Sequence, residues 1–279
     1  MYYFHSGGTA RTEALGINTG TTRGTSVPPS ASNNVKGSWV DIGGTTSFTY
    51  EATGVILGDT NGIGVGCTAD VGINVGGNRY IIAKDVRPCA LTLRGNNEGR
   101  AYIHLPLHIP AGTQLSMRTQ ASTAAGSSIF ASIIGFSHGV NGAPGYSKCI
   151  ALSAITTSRG VAVDPGGVAH TKTRVELVAS SAEAVAAVFA QTGPNNDTSR
   201  TAASRWLYDL EMGGSGSEQI ILPNFSMCGG STGDIALPDI TPVVPCYAPA
   251  GTRFSVNAQS SSVTVGDRTF DMTLYGLTP

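Results

Sequence analysis

His104 and His108 lie four residues apart. On a strand that spacing puts both side chains on one face, where two imidazoles could begin a metal site. Pro106 stands between them, no HExxH-type context surrounds them, and they read as structural or surface histidines. His5, His138 and His170 are isolated in loops. Carboxylate pairs are the next candidates, because glycoside hydrolysis needs two acids flanking the scissile bond. Asp209 and Glu211 share a strand face and could hold a cation or a sugar hydroxyl; Asp70 with Asp85 is the other pair. Solvated strand charges are the simpler account of both. Asp41 and Glu176 each follow an apolar strand start, where a charge keeps a sheet edge soluble. The run Gly62-Ile63-Gly64-Val65-Gly66 is followed by no helix that could present its N-terminus to a phosphate. No GxSxG, P-loop or Cys/His dyad spacing occurs. The sequence therefore predicts no catalytic, cofactor-binding or metal-ligating residue, and a chain that is not an enzyme.

The elements that carry these residues occur twice. Ile109-Pro110-Ala111-Gly112-Thr113-Gln114 returns as Ala248-Pro249-Ala250-Gly251-Thr252-Arg253. Each copy reads as a tight turn feeding a strand: proline presets the first turn position and glycine supplies a left-handed one. The match extends without a gap from Tyr80–Thr113 onto Gln219–Thr252, so that Cys89 falls on Cys228 and Pro106 on Pro245. Under the same alignment His104 and His108 become Val243 and Tyr247. Upstream, Arg23-Gly24 matches Arg159-Gly160 and Val40-Asp41-Ile42 matches Val175-Glu176-Leu177; downstream, Ile133-Ile134-Gly135-Phe136 matches Leu274-Tyr275-Gly276-Leu277. A period this long signifies two whole domains, since solenoids repeat every 20–50 residues.

Composition agrees. The 279 residues hold two domains of about 125 residues, each large enough to bury roughly two-thirds of its surface. Charged residues are 13% and net charge is −1, which gives no electrostatic basis for nucleic-acid or anionic-membrane binding. No apolar run is long enough to span a bilayer. The first residues lack a basic segment followed by a hydrophobic stretch, so synthesis in a cytoplasm is expected. The 5 cysteines, at 67, 89, 149, 228 and 246, are scattered and odd in number, and read mostly as buried free thiols. Cys89 and Cys228, being equivalent, belong to separate cores and are expected not to pair.

Glycine-rich turns every 8–12 residues, short alternating runs and the absence of heptads or βαβ alternation give an all-β fold: two tandem, homologous β-sandwich domains, jelly-roll-like, with an extended N-terminal arm. The expected boundaries are an arm at 1–13, one sandwich at 14–137, a linker at 138–150 and a second sandwich at 151–279. The segment 182–190 is alanine-rich and helical by propensity, but its counterpart near 48–57 is not, so a strand is expected there. Pro106 places its strand at an edge or a bulge. Trp39 and Trp206 are not equivalent. Tyr2, Tyr3 and Phe4 have no counterpart in the second copy, and three aromatics are more than a free tail needs. They are the interface candidates.

The pattern Thr-x-Arg-Gly, Val-x-Pro, Lys and a Val-acid-apolar strand, then Gly-Ser-Glu-Gln-Ile-Ile-Leu-Pro-Asn (216–224), Pro-Ala-Gly-Thr-Arg (249–253) and a terminal Leu-Tyr-Gly strand resembles structural virion proteins of tailed bacteriophages: head decorations, head fibres or spikes, collar and tail-fibre components. The resemblance covers residues 14–279; the first copy has Asn78-Arg79-Tyr80 where the second has Ser-Glu-Gln. It implies assembly into a phage particle, usually as a homo-oligomer, with no catalytic residue carried over. A virion component made in the host cytoplasm, a trimer that contacts other virion proteins, is expected; the alternative is a module that binds a host surface glycan.

Overall fold

The computed structural model describes residues 11–17, 24–58, 67–87, 100–122, 129–137, 146–153, 160–194, 201–229 and 239–279. Tyr2, Tyr3, Phe4 and Cys89 lie outside them. The first half contains β1 (Thr12–Leu15), β2 (Thr25–Val27), β3 (Val40–Thr45), β4 (Ala52–Gly58), β5 (Cys67–Val75), β6 (Asn78–Val86), β7 (Arg100–Leu105), β8 (Gln114–Ala121) and β9 (Ile129–Phe136). One sheet runs β1-β9-β4-β7, with β2 also on β9; β3, β8, β5 and β6 are neighbours in the other. These two four-strand orders are those of a jelly roll. Pro106 follows directly on β7, an edge strand, where its missing N–H breaks no ladder.

The second half contains β10 (Lys148–Ala151), β11 (Val161–Val163), β12 (Thr173–Val178), β13 (Val185–Pro194), β14 (Ser204–Met212), β15 (Gln219–Gly229), β16 (Asp239–Ile240), β17 (Val244–Ala248), β18 (Phe254–Ser260), the short helix α1 (Val265–Arg268) and β19 (Phe270–Thr278). Its orders, β10-β19-β13 with β16 and β17 beyond, and β12-β18-β14-β15, repeat those of the first half. The shared motifs have shared causes. A Cβ on Gly24 or Gly160 would collide with the backbone of β9 at Ala131 (2.5 Å) or of β19 at Met272 (2.2 Å). Both Pro-Ala-Gly-Thr turns put glycine at positive φ, Gly112 at 77° and Gly251 at 86°. In both, the threonine hydroxyl donates to the proline carbonyl at 2.7 Å. Thr46 and Ser181 tie the two turns down equivalently, each accepting the glycine N–H on its carbonyl, at 2.8 and 2.7 Å.

The halves are not joined as two separate bodies. β10 begins at Lys148, inside the segment expected as a linker, and pairs in parallel with β6 at Cys149↔Ala83. This single contact row merges one sheet of each half into a ten-stranded sheet. β1 likewise begins at Thr12, inside the segment expected as an arm. There are two cores, but their membership does not follow the boundary between the halves. Cys149, Ala187, Phe189, Tyr275 and Leu277 of the second half are built into the core of the first, whereas Val188, Ala190, Phe270, Met272 and Leu274 face the second core. The β19/β13 sheet is thus a middle layer with protein on both faces, and every residue of β19 is buried. Double-sided burial removes the polar alternation of a half-exposed strand. That is why 184–190 reads as an unbroken apolar run, yet from Val185 onward it is a strand, β13.

Between the halves lies a buried polar clamp. The Gln191 side chain accepts from the Arg87 backbone N–H at 3.1 Å and donates to the Arg87 carbonyl at 3.2 Å. The Tyr275 hydroxyl lies 2.7 Å from both the Asp85 carbonyl and Gln191 Oε1. Its ring stacks on Phe189 at 4.9 Å. The Arg87 side chain, buried, reaches toward Asp271 at 4.0 Å. Replacing Gln191 by alanine strips two buried backbone groups of their partners, so Gln191→Ala is expected to cost about 2–4 kcal/mol. Urea unfolding checks this: a lowered midpoint with a broadened or split transition is expected, because the halves lose the clamp that couples them.

Candidate functional site

The polar side chains singled out in sequence are taken up by ion pairs on the β3-β8-β5-β6 and β12-β18-β14-β15 sheets, and one arrangement occurs twice. Lys36 Nζ sits 2.9 Å from Asp70 and 2.6 Å from Asp85. Asp70 also accepts the Asp85 backbone N–H at 2.9 Å. In the second half Lys172 Nζ sits 2.5 Å from Asp209 and 2.9 Å from the Asn224 side-chain oxygen, and Asp209 accepts the Asn224 N–H at 2.8 Å. Asp85 and Asn224 both have positive φ, 56° and 48°. Each stands at a register shift where its strand bulges opposite Asp70 or Asp209. Short polar residues tolerate that conformation best, and the facing aspartate and lysine hold it.

Both acid pairs are buried and held by basic side chains, which corrects the expectation of solvated strand charges. Glu211 is held bidentately by Arg174, at 2.6 and 3.1 Å, and accepts from Ser255 at 3.1 Å. Glu218 joins Arg253 at 2.9 Å, and Arg253 joins Glu176 at 2.7 Å. Asp41 pairs with Arg79 at 2.6 Å. The halves differ at one stacked position. In the first, Trp39 lies against Gly72, where a Cβ would come within 2.8 Å of its ring, and Arg118 covers Trp39 at 4.8 Å. In the second, the aligned positions are Arg174 and Glu211, an ion pair in place of a ring on a glycine.

His104 packs near the Phe136 ring, centroids 6.0 Å apart, and burial lowers its pKa. His108 is exposed. Among the described residues no group of three or more His, Cys, Asp or Glu is placed to hold a metal. Cys67, Cys149, Cys228 and Cys246 are free thiols. Burial pushes the Cys149 thiol up, so it is an inert filler at the joint. Cys228 corrects the expectation of burial: it is exposed on β15.

The concave feature sequence reasoning missed is a groove of about 360 Å³ formed by Tyr146 of the connecting segment with Ala184, Tyr247, Pro249 and Pro279 of the second half, among others. Tyr247 has φ 49° and is 78% exposed. The register of β13 with β17 shifts between Val185↔Ala248 and Ala187↔Pro245, so Tyr247 stands on a bulge that turns its ring outward. Tyr146 is pushed up in pKa by burial, then by the proximity of Tyr247 and Cys246. A left-handed tyrosine costs about 1–2 kcal/mol, and no sequence pattern signals it, since its counterpart is His108.

No family model matches the sequence, and no curated protein matches it. Solved structures give faint likenesses. The glycosylasparaginase PNGase F from Flavobacterium meningosepticum is 11% identical, with 97% of this chain and 96% of that chain covered at a TM-score of 0.40. The major capsid protein P2 of bacteriophage PM2 is 9% identical over 96% and 98%, at 0.37. Infectious bursal disease virus VP2 is 11% identical over 97% of this chain and 42% of that one, at 0.28. Likeness at this level says nothing of what this chain binds or does.

Two measurements follow from the geometry. Lys172→Met leaves the buried Asp209 carboxylate without its cation and is expected to destabilise by about 2–4 kcal/mol. Lys36→Met, after which Asp70 keeps Arg118 at 2.8 Å, should cost less; chemical denaturation of both variants reads this directly. His104 binds its proton more weakly folded than unfolded. Its neutral form therefore contributes stability that is complete above the unfolded pKa of about 6.5 and is lost as pH falls through that value toward the lower folded one. Thermal midpoints between pH 7.5 and 5 should fall less steeply in His104→Phe than in the parent chain.

Proposed function

We propose that the chain is a structural, non-enzymatic component of a bacteriophage virion, a decoration, fibre, spike or collar protein that assembles as a homo-oligomer. The observation that carries this reading is the ten-stranded sheet that joins two jelly rolls through a buried polar clamp. It makes a stiff double unit in which many described charged residues pair with one another. Such a body suits a part that bears load and presents surface. The resemblance of the repeated turn and strand motifs to phage structural proteins supports the same reading. No helix among the described residues is long and apolar enough to cross a membrane.

A host-glycan-binding module is a second reading, favoured by the outward tyrosines Tyr80, Tyr102 and Tyr247, whose flat faces offer stacking surface for a sugar ring. It is compatible with a place on the particle. Epitope-tagged chain expressed during infection should co-purify with banded particles at a fixed copy number; recovery only in the soluble lysate would remove the virion reading. A glycan array with the purified protein tests the second, and silence against host polysaccharides would remove it.

A further inference from the structure

The joint between the two halves uses one edge and one face, and the duplication supplies a second, unjoined copy of each. In the joint, the β6 edge buries Ile82, Ala83, Asp85, Val86 and Arg87. The aligned positions on β15 are Ile221, Leu222, Asn224, Phe225 and Ser226, and none of these is buried. Ile220 beside them is 55% exposed. On the other side of the joint, β10 offers its edge and β19 offers Tyr275 and Leu277, both buried. The equivalents are β1, which ends its sheet, with Ile134 and Phe136 on β9, both only half-buried. Among the described residues, the four-stranded sheet ending in β15 and the five-stranded sheet ending in β1 thus correspond to the two parts of the ten-stranded sheet, left apart.

We propose that these surfaces meet between copies of this chain: β15 of one copy lies beside β1 of the next, as β6 lies beside β10 within a copy. The inference deepens the reading of the chain as a homo-oligomer and rests on it. It continues an interface already present in the molecule, and it would cover Ile221, Leu222 and Phe225 on one side and Ile134 and Phe136 on the other. The register follows from the repeat. Cys149 stands opposite Leu277 and Thr12 opposite Phe136. Cys149↔Ala83 therefore maps onto Thr12 of one copy against Leu222 of the next. The contact is head-to-tail, so it closes into a ring if the rotation allows and otherwise extends a filament. It also pairs two strand edges that would otherwise invite unspecific association.

The experiment uses the full chain with Cys89, Cys228 and Cys246 replaced by serine. Thr12→Cys and Leu222→Cys are introduced singly and together, and oxidation is followed on non-reducing gels beside light scattering of the unoxidised protein. The expected result is interchain disulfide in the double variant and almost none in either single one, since a bond needs Cα atoms within about 7 Å. Leu222→Lys, at a half-buried position beside the second core, should weaken assembly about tenfold or more while the chain stays folded by circular dichroism. An oligomer that forms without the 12–222 cross-link, or that Leu222→Lys leaves intact, overturns this interface and leaves self-assembly standing. A monomer at every concentration overturns both.

Discussion

Everything in this chain turns on a single parallel strand contact. Where β10 settles beside β6, the backbone groups of two sheet edges find partners, and the sheet of one jelly roll becomes the sheet of the other. Edge pairing alone is weak and unspecific. What makes it specific is the clamp above it, in which Gln191 reads the Arg87 backbone in both directions and Tyr275 reaches the Asp85 carbonyl. Hydrogen bonds of this kind add little when made and cost much when broken, so they fix how the halves sit more than how tightly. The apolar contribution comes from Phe189, Tyr275 and Leu277, which complete a core belonging mainly to the other half.

The duplicated details show which parts of a jelly roll the ancestral unit could not vary independently. The lysine, the aspartate and the left-handed Asp or Asn form a closed set, since each holds another in place. The turn at Pro-Ala-Gly-Thr is closed in the same way by Thr46 or Ser181. By contrast the exchange of Trp39 on Gly72 for Arg174 on Glu211 changed both partners together. A ring needs the glycine beneath it, and a buried glutamate needs the guanidinium. Pairs drift as pairs.

This bears on how much could be read from sequence. The fold class, the repeat and the strand identity of 182–190 were legible because turn chemistry and homologous position are local signals. The fate of the carboxylates was not, because Asp209 and Glu211 find Lys172, just before β12, and Arg174, on β12, 37 residues away in each case. The extent of the linker failed for a related reason: 148–150 has no strand pattern of its own and is ordered by β6 and β19 on either side. The outward Tyr247 was invisible, since a bulge is set by the register of two strands and no single residue announces it.

The middle layer has a consequence for the order in which the chain can mature. The first jelly roll is synthesised before the second, yet its core stays incomplete until Phe189, Tyr275 and Leu277 arrive, two of them from β19. During synthesis the earlier half must wait as a partly open sandwich, with β6 uncovered and apolar surface in contact with solvent. Contacts so distant along the chain form slowly, because the loop entropy must be lost before they can reward it. A growing chain in that state is exposed to neighbours in the same condition. The feature that makes the finished protein one rigid piece therefore makes its nascent form dependent on strands that are translated last.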